Sequence, residues 1–171
     1  ERLAEQNRDS GTASAATTTA ETVRVALRCI GLGEGSSIVS SYFLMAFASS
    51  DYGDRGGLVF ADCAVIPVPS VPQLAEIALQ AAANARKLLD CEPRVAFLSF
   101  STKGSAKHPL IDHTRKAMET ACERDRSLLI DGELQADAAL VPEICKMKAG
   151  GSPIQGRANT LVFPDLQSGN I

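Results

Sequence analysis

The stretch RVAFLSFSTKGSAKHPLIDHTRKAMETACERDRSLLID, residues 94–131, decides the fold. It opens with a short apolar run, RVAFLSF (94–100), whose length and residue types predict a strand. A polar loop, STKGSAKHP (101–109), follows, then a helical pattern at about 110–124 and a second apolar strand, SLLID (127–131). The alternation continues with a helix at 136–148, ADAALVPEICKMK, and a strand at 159–165, NTLVFPD. Strand, helix, strand, helix, strand at this spacing implies βαβ units with right-handed crossovers and a parallel sheet, an α/β fold.

Upstream, SIVSSYFLMAFAS (37–49) and LVFADCAVI (58–66) are rich in β-formers and flank the turn DYGDRGG (51–57). They predict a hairpin that adds antiparallel strands at one edge of the sheet. VPQLAEIALQAAANARKLL (71–89) has the apolar spacing of an amphipathic helix, with Pro72 in its first turn. Before the hairpin, ASAATTTAETVRVALRCI (13–30) becomes helical, with Val23, Leu27 and Ile30 on one face and Thr18 or Thr19 as the N-cap. Gly31, Gly33 and Gly35 close it. The chain thus divides into an N-terminal segment, 1–36, and an α/β domain, 37–171.

Composition narrows the function. A chain of 171 residues, 45% hydrophobic and 22% charged, suits one globular domain with an arm. A net charge of −3, 5% aromatic residues and no Trp offer neither a basic face nor a base-stacking platform, so neither nucleic acid nor an anionic membrane is expected as partner. No apolar run approaches the roughly 20 residues of a membrane helix, and the opening ERLAEQNRDSG does not read as a signal peptide. The five cysteines (29, 63, 91, 122 and 145) form no C-x-x-C pair, which argues against zinc and for reduced thiols in the cytoplasm. Cys63, at a strand end, reads as a core thiol.

In parallel sheets ligands sit beyond the carboxyl ends of the strands. That rule selects STKGSAKHP, DGELQAD and PDLQSGN. Ser101, Lys103, Gly104 and Ser105 offer hydroxyls, an ammonium and close backbone approach to an anion, without the spacing of a Walker A loop. In DGELQAD, the acids Asp131, Glu133 and Asp137 have three readings: metal ligands, catalytic bases, or groups that end a strand and start a helix. With no histidine beside them, strand end for Asp131 and helix start for Asp137 are preferred, and no metal is expected. TTTAETVR places Thr18 and Thr19 at a helix N-terminus that favours anions, with Arg24 one turn in. His108 and His113 read as surface residues outside any nucleophilic framework.

Four blocks together, FADCAVIPVPSVPQLAEIA, RVAFLSFSTKGSAK, LLIDGELQADAALVPEICKMKA and GSPIQGRANTLVFPDLQSGNI, resemble the phosphate acetyltransferase family. ASAATTTAETVR resembles the hydroxyl-rich segment that leads into that family's T-A-D-T-V-R-P, with Val25 where the family has Pro and Thr17 where a His is common. The resemblance implies a three-layer α/β/α domain with a mixed, mainly parallel sheet, of the isocitrate/isopropylmalate dehydrogenase-like kind. It further implies reversible acetyl transfer between CoA and inorganic phosphate, with CoA as substrate and no bound cofactor, in a two-domain protomer that forms a homodimer. In that family's mechanism a carboxylate takes the thiol proton and the thiolate attacks the acyl carbonyl directly.

Carried over by position, Thr18, Thr19, Arg24, Ser101, Lys103, Gly104, Ser105, Asp131, Gln135 and Asn170 are the substrate-binding candidates. The family's P-V-N-D-L-S-R-G motif, which holds the proposed base and serine, is not found in these residues, so the catalytic pair is expected beyond Ile171. Three other readings are a phosphate butyryltransferase, an acetyl-CoA-sensing domain like those of some malic enzymes, and a nucleotide-binding α/β domain. The last is weakest, because no G-x-G-x-x-G follows a strand.

Overall fold

The computed structural model describes residues 18–33, 35–49 and 51–171. The chain separates into two compact units, Glu1–Ser37 and Ile38–Ile171.

In the first unit, α1 spans Thr19–Cys29 and is capped by Thr18. The Thr18 hydroxyl accepts from the Glu21 N–H (3.3 Å), while the Glu21 carboxylate accepts from the Thr18 N–H (2.9 Å). This reciprocal pair satisfies two groups that a helix start would otherwise leave without partners. The bonds from the Thr18 backbone and then its hydroxyl hold the Glu21 carboxyl below its ordinary range.

The second unit is built on β1 (Tyr42–Ala46), β2 (Gly57–Ala61), β3 (Arg94–Leu98), β4 (Leu129–Leu134) and β5 (Thr160–Val162). The sheet order is β1-β2-β5-β3-β4, with β1 antiparallel to β2 and every other pairing parallel. The expected hairpin is present, with Tyr42 opposite Ala61 and Ala46 opposite Gly57. Its strands are shorter than the apolar runs that signalled them. β1 is exposed along its whole length, whereas the central β3 is buried from Val95 to Leu98.

Alternation along the strands makes two separate cores, because successive side chains leave a strand on opposite faces. Val59, Val95, Phe97, Ile130 and Val162 pack with Leu74, Ile77 and Ala81 of α2 (Val71–Leu89) and with Ala117 and Ala121 of α3 (Pro109–Arg124). Ala96, Leu98 and Leu161 face the opposite layer. There they meet Ala138 of α4 (Ala136–Leu140), Cys145 of α5 (Pro142–Lys148) and Ile154 of the loop that follows. The result is a helix–sheet–helix sandwich with a mixed, mainly parallel sheet.

The helix expected at 136–148 is two helices. Val141 adopts φ −117°, ψ 111°, because the ring of Pro142 disfavours the helical region for the residue before it. α2 and α3 are joined by an ion pair in which the exposed Arg124 donates to the buried Glu76, and Gln80 Nε2 also donates to Glu76 (3.2 Å). A short α6, Leu166–Gly169, follows β5 and lies within PDLQSGN, which reads as a loop in the sequence.

Candidate active site

The loop after β3 and the strand β4 form one polar network. β4 does not stop at Asp131 but runs to Leu134, so DGEL is strand and not loop. Gly132 permits this: a Cβ there would lie 2.8 Å from the Phe97 Cβ and 3.2 Å from the Phe97 carbonyl oxygen. Only a residue without a side chain lets β4 approach β3 this closely. The two acids along the strand are buried, Asp131 at 4% exposure and Glu133 at 1%.

Glu133 is the hub. Its Oε1 accepts from Ser101 Oγ (2.8 Å), the Gly104 N–H (2.8 Å) and Arg115 Nη2 (3.1 Å), and its Oε2 accepts from Arg115 Nε (2.6 Å). Its backbone carbonyl accepts from the Lys103 N–H (3.1 Å). Burial pushes the carboxyl upward, but the bonds from Arg115, Gly104 and Ser101 outweigh it and hold the group at about 2. Lys103 donates to Asp131 and to the Gly132 carbonyl (3.2 Å). Thr102 Oγ1 accepts from the Gln135 N–H (2.9 Å) and donates to the Gln135 side chain (3.3 Å). Ser105 Oγ accepts from the Thr102 N–H (3.1 Å).

The sheet's carboxyl edge also opens into a cleft of about 740 Å³ above β2, β3 and β5. Its walls are mainly apolar, with Pro67, Val68, Leu98, Phe100, Leu110 and Phe163; Ser99, His113, Asp165 and Gln167 add polar points. Such a hollow suits an elongated, largely apolar ligand oriented by a few hydrogen bonds. The β2 side is shaped by buried Asp62, whose carboxylate accepts from the N–H groups of Ala64 (3.1 Å), Val65 (3.2 Å) and Ile66 (2.8 Å). His113 is within 2.9 Å of the Pro69 carbonyl oxygen and so ties α3 to this wall. On the β5 side, Asp165 caps α6 by accepting from the Ser168 N–H (2.7 Å) and hydroxyl (2.8 Å).

The sequence-selected residues fall into three groups. Ser101, Lys103, Gly104, Ser105, Asp131 and Gln135 come together around Glu133, and none of them lines the cleft. Asn170 lies near the α6 side, donating to the Cys63 carbonyl (2.6 Å). Thr18, Thr19 and Arg24 belong to the first unit, where Thr18 caps α1, Thr19 opens it, and Arg24 and Val25 are exposed on it. Thr17 lies outside the described residues.

Glu133 was one of three acids in a loop, and Arg115 and Asp62 carried no motif at all. The only available signal was the pair of acids, Asp131 and Glu133, set in an otherwise apolar stretch. Asp137 lies in the first turn of α4, where its carboxylate accepts from the Ala138 N–H (2.7 Å) and from Lys148 Nζ (2.7 Å). Cys63 is fully buried, and desolvation followed by the nearby Asp62 charge pushes its thiol up to about 11. Among the described residues no group of three or more His, Cys, Asp or Glu side chains is placed to hold a metal, and no helix is long and apolar enough to cross a membrane.

The profile of the phosphate acetyl/butaryl transferase family matches residues 2–171. The phosphate acetyltransferase of Thermoanaerobacterium thermosaccharolyticum is 53% identical over 153 residues, which cover 90% of this chain and 47% of that protein. A phosphotransacetylase from Streptococcus pyogenes superposes with a TM-score of 0.82 at 48% identity, covering 91% of this chain and 46% of that one. The EutD phosphotransacetylase from Staphylococcus aureus gives 0.80 at 41% identity, over 91% and 46% of the two chains. The chain spans about half the length of the curated relatives it matches. Along almost all of its own length, however, both sequence and fold agree, and the chain belongs to the phosphate acetyl/butaryl transferase family.

Proposed function

We propose that this chain forms one wall of a phosphate acetyltransferase site, which moves acetyl reversibly between CoA and inorganic phosphate. The observation that carries the reading is the continuous family match over residues 2–171, together with 53% identity to a phosphate acetyltransferase. The cleft adds a physical reason. Its apolar walls suit the acyl group and the pantetheine arm of CoA, and its few polar points can orient a thioester carbonyl. Water excluded from such walls strengthens every charge interaction at the reacting carbonyl.

Within this reading, the ten sequence-selected residues serve substrate binding in different ways. Arg24, Thr18 and Thr19 supply positive charge and hydroxyls for phosphate or CoA. Ser101, Lys103, Gly104, Ser105, Asp131 and Gln135 fix the shape of the loop at the carboxyl edge, since most of their polar groups are engaged within the network. Asn170 holds the chain after α6 against the β2 side. The carboxylate that takes the thiol proton is placed outside the 171 residues, because Asp131 and Glu133 are each held by a cation, Lys103 and Arg115, and P-V-N-D-L-S-R-G is not in the sequence. CoA is substrate, not cofactor, and the whole protein works as a cytoplasmic homodimer.

The test is formation of acetyl phosphate from acetyl-CoA and phosphate, followed by thiol release. The full-length gene product is expected to be active and the isolated 171 residues to show little or no turnover. An inactive full-length product would overturn the function, and appreciable turnover by the isolated chain would overturn the placement of the base. Butyryl-CoA in the same assay separates the acetyl from the butyryl reading.

A further inference from the structure

We propose that the chain carries a second oxyanion site, specific for a phosphoryl group, on the rim of the sheet opposite the cleft. It is a hollow of about 580 Å³ between α5 and the loop 149–157, which precedes β5 and therefore lies at the amino ends of the parallel strands. Lys146 and Arg157 border it, Gly150 and Gly151 leave part of its lining without side chains, and no carboxylate lines it among the described residues. Neither cation is engaged in an ion pair among the described residues.

Ser152 lines the same hollow, is only 6% exposed, and has a buried hydroxyl with no hydrogen-bond partner. A buried hydroxyl left unpaired is costly, and in a hollow that two cations border the ligand that would satisfy it is an anion.

The hollow is also built rigidly. Gly156 adopts φ +68°, and a Cβ there would lie 2.7 Å from the Val141 carbonyl oxygen and 2.8 Å from the Cys145 Cβ, so the loop is pressed onto α5. The Arg157 carbonyl accepts from the Arg94 guanidinium, and the Ala158 N–H donates to the Ala139 carbonyl (3.0 Å), which fixes the main chain on either side. A planar guanidinium and an ammonium bordering one hollow, with a serine in its lining, match the several acceptor oxygens of a phosphoryl dianion better than a single carboxylate. The site lies outside the residues proposed for acetyl transfer and does not depend on that reading.

Amide NMR of the 171-residue chain titrated with inorganic phosphate tests this. Saturable shifts are expected at Gly150, Gly151 and Ser152. Lys146→Ala and Arg157→Ala should each weaken that response about tenfold or more, the loss of one charge-assisted contact. Any response at residues 98–110 should stay unchanged in these variants. A phosphate monoester that binds more tightly than inorganic phosphate would assign the phosphoryl end of a larger molecule, and equal affinities would assign the free ion. Three results would overturn the proposal: no shift at 150–152 with phosphate, the same shift from sodium chloride at equal ionic strength, or a shift that survives in the double variant.

Discussion

The two polar loops at opposite rims of the sheet differ in where their hydrogen bonds go. At the carboxyl edge, STKGS turns its donors inward: Ser101, Gly104 and Arg115 converge on Glu133, and Lys103 on Asp131. At the amino edge, AGGSPIQGR leaves the Arg157 guanidinium without an ion pair and the Ser152 hydroxyl without a hydrogen bond among the described residues, in a hollow that Lys146 on α5, also without an ion pair there, borders too. In sequence both are glycine- and serine-containing loops with basic residues. Binding capacity follows from which polar groups remain unspent after folding, because a donor already paired with a buried carboxylate must break that pair to hold a ligand.

The comparison makes its strongest claim about Arg115. Arg115→Ala leaves the buried Glu133 charge without its main partner and should be the most destabilising of these changes. Denaturant unfolding of the variant reads this directly, and a midpoint unchanged from wild type would show that the inward network is not closed. Replacing both partners, as in Arg115→Met with Glu133→Leu, should recover much of the loss, since a well-packed apolar pair removes both desolvation costs.

A pH scan sharpens the same point. Because Glu133 is held well below its ordinary carboxyl value, its contribution to stability is full above the unfolded value of about 4.5 and is lost as pH falls toward about 2. Thermal unfolding of the wild type should therefore show a falling midpoint across that window, and Glu133→Gln should flatten this part of the profile.

Ser101→Ala removes one donor to the ionised Glu133 carboxylate and should cost about 2 kcal/mol, measurable by the same denaturant titration. At the other rim the expected effects are smallest. Lys146→Ala and Arg157→Ala should change stability by less than about 0.5 kcal/mol, since neither breaks an internal ion pair. Ser152→Ala should be neutral or slightly stabilising without anion, because it deletes an unpaired buried hydroxyl. A large destabilisation by any of these three would place them in the fold's own network and erase the contrast between the rims.

Much of the architecture was legible in the sequence because its signals are local. The apolar runs at 94–98 and 160–162, the amphipathic spacing of 71–89 and the turn at 51–57 each reflect a period or a breaker within a few residues of chain. The strand-end rule selects the rim on which the cleft opens, but the cleft also takes in Pro67, Val68 and Pro69 after β2, and its walls include Phe100, Leu110 and His113 instead of the selected polar residues around Glu133.

Two local readings failed for identifiable reasons. Asp-Gly-Glu looks like the end of a strand, but pairing with Lys103 and Arg115, which lie 28 and 18 residues away in sequence, makes both acids tolerable inside it. ADAALVPEICKMK looks like one helix, but Pro142 divides it at Val141.

The sequence alone therefore determined the α/β class, the hairpin edge and the family resemblance, since all three rest on patterns carried within short segments. Only the tertiary structure decided which polar groups are occupied and which are free. Hydrogen-bond and charge partners are chosen by proximity in space, and the burial that sets their strength exists only once the strands and helices have packed.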